Sequence, residues 1–139
     1  MKRADVYILI NADDGQKVIK VKGYIFKKGE HWFTARRRNP EWPSDEQFKK
    51  WVISDLVTGL VMASTNARLC DVPDTLPEDL INKLLYYYDD RTTSLYRQKS
   101  THDKFREYAR LISKAMVLDD LDNPQLDCMR ESGQLLFHK

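Results

Sequence analysis

The feature that most restricts the fold is a pair of β-branched and aromatic runs set around Asp14-Gly15: "DVYILIN" before it and "KVIKVKGYIF" after it. Asp-Gly suits a tight hairpin turn, because glycine adopts a positive φ without steric cost. In the second run Ile19, Val21 and Ile25 share one parity, while Lys20, Lys22, Tyr24 and Phe26 share the other. Side chains alternate across a strand, so the run predicts one face on a core and one face basic and aromatic. "KKGE" turns the chain again, and "HWFTARRR" reads as a third strand. In "NPEWP" each proline lacks a donor N–H and restricts the residue before it, so regular structure stops there.

The stretch "WVISDLVTGLVMAS", residues 51–64, admits two readings. As a helix, it places Val52, Ile53, Leu56, Val57, Leu60 and Val61 at helical spacing, with Ser44 and Gln47 spaced as a capping box ahead of it. As a hairpin, it offers Val57-Thr58-Gly59 as a three-residue loop with Gly59 in the left-handed conformation. A glycine inside a helix costs about 1 kcal/mol relative to alanine, and the β-branched content favours strand. The hairpin is therefore the preferred reading.

Beyond it the pattern becomes helical. Thr75 reads as an N-cap, with Pro77 in the first turn and Glu78 at the capping-box position. Leu80, Ile81, Leu84, Leu85 and Tyr88 then line one face. A second helix over 101–119 places Phe105, Tyr108, Ala109, Ile112, Ala115 and Met116 on one side, and Asn123-Pro124 closes that region. The expected architecture is a single α+β domain: an antiparallel sheet over 5–65, helices over 75–118 packed on it, and an acidic tail over 119–139 with a short helix or coil.

Composition fits that plan. A chain of 139 residues, 42% apolar and 32% charged, has the size and balance of one globular domain. No apolar run approaches the ~20 residues that span a bilayer, so no membrane partner is expected. The short apolar run near Met1 has no small-residue cleavage site after it, which predicts no secretory leader. Cys70 and Cys128 are far apart and form no CxxC, which points to free thiols in a reducing cytoplasm. The net charge of +2 is unevenly placed. Up to Thr65 twelve basic residues face eight acidic ones, a local +4, which leaves −2 for the rest. A basic first half suits an anionic partner.

No catalytic motif emerges. His31, His102 and His138 have no metal-ligand spacing, and the glycines are scattered singly with no phosphate loop. The pairs Asp13-Asp14, Asp89-Asp90 and Asp119-Asp120 fall at predicted turns and helix ends, where aspartate is favoured for structural reasons. No enzyme activity, cofactor or metal is expected. The better lead is the basic sheet face. Lys20, Lys22 and Tyr24 together with Arg36, Arg37 and Arg38 would set cations beside rings, which suits phosphates and bases. An ordinary solvated face uses the same residues. Tyr86, on the polar side of "KLLYYYDD", is a further candidate contact, because exposed tyrosines are common at interfaces and in dimers.

The segment "KGYIF…HWF…WVISDLVTGLVMAS" followed by a capped helix resembles small accessory proteins of phages and mobile elements, a group that includes anti-CRISPR inhibitors. The resemblance covers about residues 18–66 and carries over no site residues. It implies a non-enzymatic binding protein that occupies the surface of a protein or nucleoprotein target, such as a bacterial defence nuclease. The alternatives are a nucleic-acid-binding protein that uses the basic aromatic face directly, and a small enzyme whose groups converge only in the fold.

Overall fold

The computed structural model describes residues 1–12, 15–80, 96–119 and 122–131. Five strands, β1 (Lys2–Ala12), β2 (Gly15–Lys28), β3 (His31–Arg37), β4 (Trp51–Asp55) and β5 (Val61–Thr65), form one antiparallel sheet in sequence order. The α+β expectation holds: helices α1 (Tyr96–Asp119) and α2 (Pro124–Glu131) follow the sheet. The β1–β2 hairpin closes on the Ala12–Gly15 pair, and the β2–β3 turn uses Gly29 at φ +62°.

Residues 51–64 form a hairpin. The five-residue connection Leu56–Leu60 is two residues longer than expected: Leu56 leaves the strand, is fully buried, and donates its N–H to Trp32 O at 3.2 Å. Asp55 closes the turn from within the side chains. Its Oδ2 accepts from Thr58 Oγ1 at 2.7 Å and from Thr58 N–H at 3.2 Å, while Gly59 takes φ +71°. The sheet curls until this turn meets the outer edge of β1, where Leu9 N–H donates to Gly59 O at 3.3 Å.

Two cores result. Val6, Ile8 and Ile25 share one sheet face and join Leu56, Val57, the α1 residues Ala109, Ile112 and Met116, and the α2 residues Leu126 and Met129. Ala115 packs against this core, whereas the side chain of Phe105 lies outside the described residues. The opposite face carries Phe26, Phe33, Ala35, Trp51 and Ile53, covered by Val72 and Leu76. Lys28 ties that cover down, donating from Nζ to the carbonyls of Pro73 and Leu76, both at 2.7 Å.

The capping box of the disfavoured helix reading is absent, and one local expectation is corrected. Ser44 and Gln47 cap no helix; Pro43–Asp45 is a single 3₁₀ turn. Thr75 is not an N-cap either, since its hydroxyl donates to Val72 O at 2.7 Å and closes the 3₁₀ segment Leu69–Thr75. Helical residues begin at Glu78, and the predicted positions Ile81, Leu84, Leu85 and Tyr88 lie outside the described residues. Asn123 does more than close the region before it: its Oδ1 accepts Gln125 N–H at 2.8 Å, and Pro124 opens α2. Gln125, fully buried, then seals the edge of β1. Tyr7 N–H donates to its Oε1 at 2.6 Å, and its Nε2 donates to Tyr7 O and Leu56 O. An edge strand left unpaired is a template for aggregation, and Gln125 at Tyr7, Asn123 at Asp5 O and Gly59 at Leu9 N–H together interrupt it here.

Candidate nucleic-acid interface

The site is built outward from a buried ion pair. Arg36 is 2% exposed and Asp45 fully buried. Arg36 Nη1 and Nη2 grip the two oxygens of Asp45 at 2.5 and 2.9 Å, and the guanidinium lies 5.2 Å from the centroid of the Trp42 ring. Arg36 was expected on the basic face. Instead, strand alternation turns it inward, opposite Val52 on the face away from Tyr24, and its charge is matched internally.

Asp45 organises the loop between β3 and β4. Its Oδ2 also accepts Asn39 N–H at 2.9 Å, and its carbonyl accepts Arg38 Nε at 2.8 Å and Phe48 N–H at 3.0 Å. Burial pushes the Asp45 carboxyl up. The Arg36 hydrogen bond, the Asn39 amide and the charges of Arg36 and Arg38 outweigh that and hold it below its ordinary range. The far end of the loop is fixed against β5. Lys49 N–H donates to Ser64 Oγ and Lys50 N–H to Asn66 Oδ1, each at 3.1 Å, and Arg38 N–H donates to Lys50 O at 2.9 Å.

What these anchors present is a shallow depression of about 610 Å³ lined by Arg37, Arg38, Phe48, Lys49, Lys50 and Asn66. Arg37, Lys49 and Lys50 are exposed and Arg38 is half-buried. No described carboxylate lines it, although Glu41 and Glu46 stand exposed on the same loop. Lys20 and Lys22 are exposed on the sheet face shared with Arg37. Tyr24 is half-buried there and meets the Trp51 ring edge-on at 5.9 Å, and the Arg37 guanidinium lies 5.1 Å from the centroid of the same Trp51 ring. The structure thus brings Lys20, Lys22, Tyr24 and Arg37 onto one face and Arg38 to its margin. Tyr86 lies outside the described residues.

Lys49, Lys50 and Phe48 were missed in the sequence because they sit in a stretch that reads only as broken by proline. Their signal, a "FKK" run just before a strand, gains meaning only once the loop folds back beside Arg37. Elsewhere, Cys70 and Cys128 border one cleft with Asp127 and Glu131. Burial pushes the Cys128 thiol up, and Glu131 adds to it, so the thiolate is disfavoured there. His31 is buried on another part of the sheet, and none of the described histidines, cysteines and carboxylates gather as a metal site. Among the described residues no helix is long and apolar enough to cross a membrane. Compared with known protein families, curated proteins and solved structures, the chain matches none.

Proposed function

We propose that this is a non-enzymatic binding protein whose working surface is the basic side of the sheet, and that its partner is a nucleic acid, free or held in a nucleoprotein. The observation that carries this reading is the set of exposed cations Lys20, Lys22, Arg37, Lys49 and Lys50, with half-buried Arg38 at their margin, on the side of the sheet that holds a depression with no described carboxylate in its lining. Cations not neutralised by neighbours repel one another, and a polyanion that releases its own counterions on contact relieves that cost. The inhibitor implied by the resemblance to phage accessory proteins is a separate reading, in which the surface would occupy a protein or nucleoprotein target; binding to nucleic acid alone distinguishes the two.

The test is fluorescence anisotropy with labelled oligonucleotides at about 50 mM salt, where phosphate contacts are strong. The double variant Lys22→Glu/Arg37→Glu is expected to weaken binding at least tenfold. Lys114→Glu, exposed on α1 and outside the depression, is expected to leave it unchanged. Absence of binding by the unaltered protein, or equal effects of the two variants, refutes the reading.

A further inference from the structure

Resting on that reading, the geometry points to Phe48 as a base-stacking platform, so that the depression takes one nucleotide of a single strand rather than a segment of duplex. The other rings whose side chains are described have partners or are buried. Phe26 and Phe33 stack on each other inside the second core, and Tyr7 is 1% exposed. Trp32 lies beneath Lys27, Trp42 beneath Arg36, and Trp51 beneath Arg37 with Tyr24 edge-on to it. Tyr108 accepts a hydrogen bond from Gln16 at 3.1 Å. Among the rings whose side chains are described, Phe48 combines partial burial, no ring or cation partner, and a place in the lining beside Arg37, Arg38, Lys49 and Lys50, at the border with a second cleft lined by Leu9, Gln16 and Leu60.

The backbone that carries the ring is also held in position. Phe48 N–H and Arg38 Nε share the Asp45 carbonyl, and the two residues after Phe48 are pinned to Ser64 and Asn66. A backbone anchored before binding leaves only the ring's own rotamer to order when a base arrives. Asn66, in the same lining, accepts Lys50 N–H through Oδ1, so its amide nitrogen can serve as a donor there. Duplex bases remain stacked on each other and cannot lay a face on a ring set within a depression. An unpaired base can turn out of the strand and do so, while its flanking phosphates meet the surrounding cations.

The experiment compares three probes of equal length at low salt: a single strand, the same strand with abasic sites, and the duplex. The unaltered protein is expected to bind the single strand most tightly. Phe48→Leu, which keeps an apolar side chain but removes the ring, is expected to weaken single-strand binding about 5- to 100-fold, to the level of the abasic strand. Phe48→Trp is expected to keep or raise it, and Lys49→Glu to weaken all three probes alike. Equal affinity of the unaltered protein for the abasic and intact strands, tighter duplex binding, or no effect of Phe48→Leu overturns the inference while leaving a phosphate-binding surface intact. Failure of all three probes to bind overturns the inference and the reading beneath it together.

Discussion

Replacing Asp45 by asparagine removes one charge and almost no volume, so its effect isolates the buried ion pair. Both side chains are nearly inaccessible, 3% for Arg36 and 1% for Asp45. Removing one partner of such a pair leaves the other charge buried without compensation, at a cost of about 3–5 kcal/mol. That is a large share of the roughly 5–15 kcal/mol by which domains are stable. For a chain of this size it lowers the melting temperature by about 10 °C or more. Urea unfolding followed by circular dichroism measures it as a shift in midpoint at unchanged slope. Replacing both partners with apolar residues, Arg36→Met/Asp45→Leu, is expected to recover part of the loss, since neither buried charge then remains but Asn39 N–H loses its acceptor. The pH dependence adds a sign. The Asp45 pKa is lowered in the folded state, so its contribution is fully present above the unfolded value of about 3.9 and is lost as pH falls through the folded value. The gap between the unaltered protein and Asp45→Asn should be constant from pH 5 to 8 and narrow below about pH 4. A loss under about 1 kcal/mol at neutral pH, of the size seen for surface pairs, would refute the account of Asp45 as the pin of the loop.

Two further outcomes test the fold. Burial lowers the His31 pKa against the opposing pull of Asp55 and Glu30, so the unfolded chain takes up the proton first. Stability is therefore expected to fall as pH drops below about 6.5, and His31→Gln should flatten urea midpoints measured between pH 7.5 and 5. Gly59 sits at φ +71°, and an added Cβ would stand 2.7 Å from Leu9 N and 2.8 Å from Ile112 Cδ1. Gly59→Ala should cost about 2–4 kcal/mol from strain and overpacking combined, while Gly29→Ala, at φ +62° in open space, should cost about 1 kcal/mol. Equal losses in a thermal melt would contradict the close approach of the β4–β5 turn to β1.

The sheet was legible because its signals are local. Alternation in "KVIKVKGYIF" and the left-handed glycine of the β4–β5 turn each act within a few residues. The turn's length was not, since Leu56 is drawn out by a contact with Trp32 on another strand. Nor was Arg36 separable from Arg37 and Arg38. One residue of parity sends it inward, and only the position of Asp45, nine residues on in a loop, makes that burial tolerable. Gln125 carries the same lesson, for it reads as a polar residue near the end of the chain yet satisfies three backbone groups of Tyr7 and Leu56. Of the candidate surface, Lys20, Lys22 and Arg37 were readable from parity, whereas Phe48, Lys49 and Lys50 join it through loop geometry that no periodicity encodes.

The central claim is that solvent-facing cations on one side of the sheet neutralise phosphates, and the salt dependence of binding measures it most directly. With the five exposed cations Lys20, Lys22, Arg37, Lys49 and Lys50 engaged on a single strand, the logarithm of the association constant should fall against the logarithm of salt concentration with a slope of about −3.5. Affinity would then drop by about two orders of magnitude between 50 and 200 mM salt. A slope indistinguishable from zero, or no binding at the low-salt end, would contradict the claim.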